Sequence, residues 1–119
     1  MHRNLCIQKD LNELQTWMSA LEAFNNELEH ISVIEKQLIK NSSVSNTILS
    51  IRRKNVLIMA NLCKYEQELK TEYEYGKVEY DANRLKIHEK KRIDYLKLFD
   101  DCNSFRTQIY FLIRKYQRK

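Results

Sequence analysis

Apolar residues recur along this chain at steps of three and four, the signature of helices that lay one stripe against a neighbour. Ile7, Leu11, Leu14, Met18 and Leu21 follow steps of 4, 3, 4 and 3. After Leu21 the stripe passes to Phe24, Leu28, Ile31, Ile34 and Leu38, widened by Val33 and Ile39, with Trp17 beside Met18 and Leu21. This predicts a first helix over residues 5–40. The polar cluster Asn41-Ser42-Ser43-Val44-Ser45-Asn46 follows. Its side chains suit helix-end amides, so a turn is expected over 41–46.

A second stripe runs through Ile48, Ile51, Ile58, Leu62, Tyr65 and Leu69, with Asn55 in one seam position. A lone buried Asn costs stability and fixes register. Between Glu72 and Arg92 the pattern thins to Tyr73, Val78, Tyr80, Leu85 and Ile87. Tyr73, Tyr80 and Ile87 are one heptad apart, which favours continuity. Gly76 is poor in a helix, and Asp81 or Asn83 suits an N-cap, which favours a break. The final seam is the most regular: Tyr95, Leu98, Cys102, Phe105, Ile109, Leu112 and Tyr116, broadened by Leu96, Phe99 and Ile113.

The fold class expected is all-α in a single domain, 1–119. Its leading layout is an antiparallel helical hairpin with long coiled-coil helices, 5–40 and 46–117. The alternative is an elongated three-helix bundle that turns near residues 76–83. Length separates the two. A helix over 46–117 would reach about 108 Å against about 54 Å for its partner. Its unpaired half would carry the best seam, and so would need a partner chain.

Composition narrows the class further. The chain has no proline and one glycine, which leaves too little turn chemistry for β or βαβ folds. Hydrophobic residues make up 43% and charged residues 31%, too apolar for a disordered tail. Cys6, Cys63 and Cys102 are far apart and suit core filling in a reducing compartment. The longest apolar runs, Val56–Ala60 and Ile109–Ile113, are too short to span a bilayer. No secretory signal follows Arg3. A cytoplasmic location is expected, with association with the cytoskeleton allowed and nuclear as the alternative.

The stretch from Leu11 through Trp17 and Met18 to Leu21 and Glu22 resembles the first helix of spectrin-type repeats, in which a Trp lies among leucines and precedes an acidic residue. The resemblance covers residues 11–38. It implies a three-helix bundle, a spacer or scaffold role, and no catalytic residues.

Chemistry-bearing motifs are missing. His30 and His88 have no second His or Cys one turn away, His2 has only Cys6 four positions on, His88-Glu89 lacks the second His of a zinc-protease helix, and one glycine makes no phosphate loop. No catalytic residue, metal site, cofactor or small-molecule substrate is predicted, and the chain is read as non-enzymatic. Charge is uneven: residues 1–45 carry a net of −2, 46–83 balance, and 84–119 carry +7.

Two functions follow. The first is a coiled-coil scaffold or adaptor subunit of a multi-protein assembly, cytoskeletal or related to cell division. It would bind other coiled-coil proteins, as a hetero-oligomer rather than a homodimer, through Ile31, Ile34, Leu38, Tyr95, Leu98, Cys102, Phe105, Ile109, Leu112 and Tyr116. The second is a basic module for nucleic acid, an acidic membrane or an acidic protein surface such as a microtubule. It would use Arg84, Lys86, Lys90, Lys91, Arg92, Arg114, Lys115, Arg118 and Lys119.

Overall fold

The computed structural model describes residues 2–76 and 79–117, and among these the chain is helical with no strand. Helix α1 spans His2–Ile34 and ends in a π-helical turn, Glu35–Ile39; α2 spans Ser42–Tyr75 and α3 spans Ala82–Gln117. The three pack side by side into a bundle 63 × 18 × 17 Å. No helix among the described residues is long and apolar enough to cross a membrane.

Of the two layouts, the three-helix bundle is the one adopted. An uninterrupted helix over 46–117 does not form, because α2 stops at Tyr75 and Gly76 is extended at φ −73° and ψ 149°. Asp81 then restarts the chain by accepting the Arg84 amide at 3.0 Å, which gives α3 a partner for one of its four orphan donors. At the other end, Asn41 caps α2 by accepting from the amides of Ser43 at 2.8 Å and Val44 at 3.4 Å. The turn is therefore tighter than 41–46: α2 has already begun at Ser42, and the left-handed Lys40 (φ 49°) makes the reversal.

Two details of α1 differ from the expected pattern. Its core positions are Ile7, Leu14, Leu21 and Leu28, alternating with Asp10, Trp17, Phe24 and Ile31, all buried. One register thus runs unbroken through Leu21, while Leu11 and Met18 only flank the core. The wide 3.6-residue face of a helix touching two neighbours makes either set look like a seam. Further on, the π-turn adds one residue to a turn. Ile39 is then buried where Leu38 was expected, and Leu38 is left 43% exposed.

The core is continuous and draws on all three helices, including Leu62, Tyr65, Leu69, Tyr95, Leu98, Phe105 and Ile109. Removing one such side chain, as in Leu14→Ala, costs about 2–5 kcal/mol in cores of this kind.

Candidate functional site

The register just described puts a carboxylate inside the bundle. Asp10 takes the core position between Ile7 and Leu14, and His88 takes the position one heptad before Tyr95. Neither could be buried bare, since an unanswered polar group in the interior costs several kcal/mol. The sequence supplies the answers from every helix. His88 Nδ1 lies 2.7 Å from the Tyr65 hydroxyl of α2, and Nε2 lies 2.7 Å from Glu13 Oε1 and 3.5 Å from Asp10 Oδ1. The Tyr80 hydroxyl donates to Asp10 Oδ2. Arg92, one turn beyond His88, donates to Glu13 through Nε at 2.9 Å and Nη2 at 2.7 Å.

Electrostatics follow from these contacts. The Arg92 hydrogen bonds hold the Glu13 carboxyl down at about 2, against the opposing effect of burial. Burial pushes the Tyr65 and Tyr80 phenols well above their ordinary value, and the acceptor Asp10 pushes Tyr80 the same way. Both tyrosines therefore serve as protonated hydroxyls and not as phenolates. Beside this layer lies a cleft of about 580 Å³ whose wall includes Asp10, Tyr65, Tyr80, Glu72 and Arg84. Glu72, near the end of α2, joins the starts of α1 and α3 there: its carboxylate meets Arg84 at 2.9 Å and Arg3 at 3.5 Å.

A second polar layer lies farther along. Asn55, fully buried, donates through Nδ2 to Asn25 Oδ1 at 2.5 Å and receives the Cys102 thiol at 4.0 Å. Among the described residues no buried side-chain nitrogen or oxygen lacks a hydrogen-bond partner.

The residues expected to meet a partner chain are mostly inside. Ile31, Tyr95, Leu98, Cys102, Phe105 and Ile109 are buried in the chain's own core, Ile34, Leu112 and Tyr116 are half-buried, and Leu38 is exposed. The Tyr95–Tyr116 seam is covered by α1 and α2, because the break at Gly76 folds α3 back onto them. Its correction as a partner surface has that single cause.

The basic set is divided in the same way. Arg84 and Arg92 pair with Glu72 and Glu13, and Lys91 sits 5.5 Å above the Tyr65 ring and donates to Asn61. Arg106 likewise pairs with Glu27 at 2.7 Å. Lys86 and Lys90 are exposed near the start of α3, and Arg114 and Lys115 are exposed near its end, roughly 36 Å away along the helix. Arg118 and Lys119 lie outside the described residues. Of the described basic residues of α3, Arg92 and Arg106 thus meet acidic residues of α1, Arg84 meets one of α2 and Lys90 meets Asp94 of its own helix, and no single basic patch gathers.

One surface was missed. Leu49, Val56 and Cys63, spaced at sevens, stand on the outer side of α2 and are exposed, as are Leu57 and Ala60 beside them; Val56 is 65% and Leu57 71% exposed. Arg53 and Lys64 lie between the row Leu49, Val56, Ala60 and Cys63 and the side chain of Leu57. No Asp or Glu occurs between Glu35 and Glu66. The heptad spacing and the acid-free stretch were both readable in the sequence.

Compared with protein-family models, with curated proteins and with solved structures, the chain matches none.

Proposed function

We propose that the protein is a non-enzymatic helical adaptor that docks an amphipathic helix with acidic flanks on the outer face of α2. The observation that carries this reading is the exposed stripe Leu49, Val56, Leu57, Ala60 and Cys63 on a helix whose core seam is already filled. A second seam at heptad spacing is what a helix needs to receive a further helix. Charge selects the occupant. On α2 no acidic residue falls before Glu66, and of its basic residues there Arg52 and Lys54 pair with Glu29 and Asp101, which leaves Arg53 and Lys64 beside the stripe; a second copy laid stripe to stripe would bring these like charges together, whereas acidic flanks would be complementary. The resemblance of residues 11–38 to spectrin-type repeats points to the same scaffold class.

The non-enzymatic part rests on the polar layer. Its hydroxyls, carboxylates and ring nitrogens are already bonded to one another, and its phenols are held in the protonated form.

The test uses two designed helical peptides with one apolar face, flanked in one case by glutamates and in the other by lysines. Amide resonances of the labelled chain should shift within 49–64 for the acidic peptide only, and Val56→Asp with Leu57→Asp should weaken binding at least tenfold while the melting curve stays in place. Equal binding of both peptides, or shifts elsewhere, would overturn the assignment. So would a dimer in sedimentation that the same double variant dissolves, since the occupant would then be a second copy.

A further inference from the structure

The geometry points to a metal site at the junction of α1 and α3, formed by Asp10, Glu13 and His88 and suited to a divalent ion of the zinc type. It is independent of the docking face on α2. Asp10 and Glu13 are one turn apart on α1, so both carboxylates project toward α3, and His88 meets them there. Each of the three offers a donor atom, and these atoms all lie within 4.8 Å of one another.

The spacing suits coordination. Ligands bound at 2.0–2.1 Å around a tetrahedral ion lie about 3.3 Å apart. The observed separations of His88 Nε2 from Glu13 Oε1 and Asp10 Oδ1, 2.7 and 3.5 Å, bracket that value. Small rotations of two side chains would complete the set. One imidazole nitrogen with two carboxylate oxygens is a donor set that divalent zinc and its first-row neighbours accept.

The surrounding hydrogen bonds hold the donors in place. Tyr80 occupies Asp10 Oδ2, so Oδ1 is the oxygen that faces the ring; Arg92 grips both Glu13 oxygens, Nε on Oε2 and Nη2 on Oε1, and Oε1, which also faces the ring, would exchange the Nη2 contact for the ion. Tyr65 stands at Nδ1 and fixes the ring plane, the orienting role that outer groups play around metal-binding histidines. Asp10 is only 7% exposed, and the contacts it makes are to a neutral hydroxyl and to the ring, so its charge is less fully answered than that of Glu13. The adjacent cleft, which Asp10 helps to line, gives an ion a way in and room for water.

Binding balances without a net loss of protons. With a neutral ring, the Glu13 carboxylate, which only accepts, places the proton on Nε2, and the Tyr65 hydroxyl then donates to Nδ1. On binding, Nε2 releases its proton and gives its lone pair to the ion, Nδ1 takes up a proton and donates it to the Tyr65 oxygen, and that hydroxyl turns its hydrogen toward the cleft.

Trp17 is the only tryptophan in the chain and stacks on His88 with ring centroids 5.1 Å apart, so it reports directly on this site. The test uses the full chain with Cys6→Ser and Cys63→Ser, which removes competing thiols. Titrated Co²⁺ should quench Trp17 fluorescence at one equivalent, and Zn²⁺ should displace it and raise the melting temperature. Asp10→Asn and His88→Gln should each weaken binding at least tenfold, while His30→Gln, on an exposed part of α1, should leave it unchanged. If His88→Gln does not fold, Asp10→Asn and Glu13→Gln decide. Failure to saturate below about 1 mM ion, an affinity of only about 4 kcal/mol, would overturn the assignment, as would binding indifferent to these substitutions.

Discussion

Trp17 of α1 stacks on His88 of α3, with ring planes 25° from parallel, and also on Tyr95, one heptad further along α3, at 5.4 Å and 17°. One indole thus spans two successive rungs of the facing helix at the point where the apolar core meets the polar layer. Trp17→Ala would open a large hole and take the stacked indole from both rings, leaving His88 with Tyr65 and Tyr95 with Phe99, and is expected to cost about 3–5 kcal/mol. That is a large share of the roughly 5–15 kcal/mol that stabilises a domain. Trp17→Phe keeps a ring there and should lose much less. Urea unfolding of both variants checks this, and a loss below about 1 kcal/mol for alanine would contradict the packing.

Glu27 gives the bundle a defined response to acid. Its Oε1 accepts from Arg106 Nε at 2.7 Å and from the Tyr110 hydroxyl at 3.0 Å. The Arg106 hydrogen bond holds the carboxyl below its ordinary 4.5, with burial opposing. Because the folded value is the lower one, the stabilisation is present in full above the unfolded value and is lost as pH falls through the folded one. Glu27→Gln should therefore be less stable than the parent at neutral pH, by about 1 kcal/mol for so open a pair. The gap should close as the solution is acidified below 4.5. Denaturation midpoints of the two proteins across pH measure it, and a constant gap would remove the role given to Arg106.

Much of this was legible beforehand because heptad spacing reports burial directly. The α2 positions Ile48, Ile51, Asn55, Leu62, Tyr65 and Leu69 and the α3 positions from Tyr95 to Ile109 are buried as their pattern implies. Periodicity does not say which helix covers a seam, so the same α3 residues served equally well for a partner and for the chain's own core. That choice turned on the segment around Gly76, where the heptad of Tyr73, Tyr80 and Ile87 competed with one weak helix former and one good cap. The polar layer was hidden for another reason. A search for His and Cys pairs one turn apart passes over a carboxylate pair on one helix and a lone His on another, although the place of His88 one heptad before Tyr95 marked it as buried.

The break between α2 and α3 depends on Asp81 more than on the special freedom of Gly76. Asp81 holds the Arg84 amide, and Asp81→Ala should cost about 1 kcal/mol and loosen the first turn of α3. Gly76 has a backbone conformation open to any residue. An added Cβ would press on the ends of the Glu72 and Arg3 side chains, both flexible enough to swing away. The lost ion pairs, worth about 0–1 kcal/mol each, are offset by about 0.4–1 kcal/mol from a less mobile unfolded chain. Gly76→Ala should thus stay within about 1 kcal/mol of the parent, and solution scattering should still give a particle close to 63 Å long. A variant that instead lengthened toward the roughly 108 Å of one helix over 46–117 would show that the glycine alone prevents the hairpin. It would also uncover the seam from Tyr95 to Tyr116, and with it the case for an obligatory partner there.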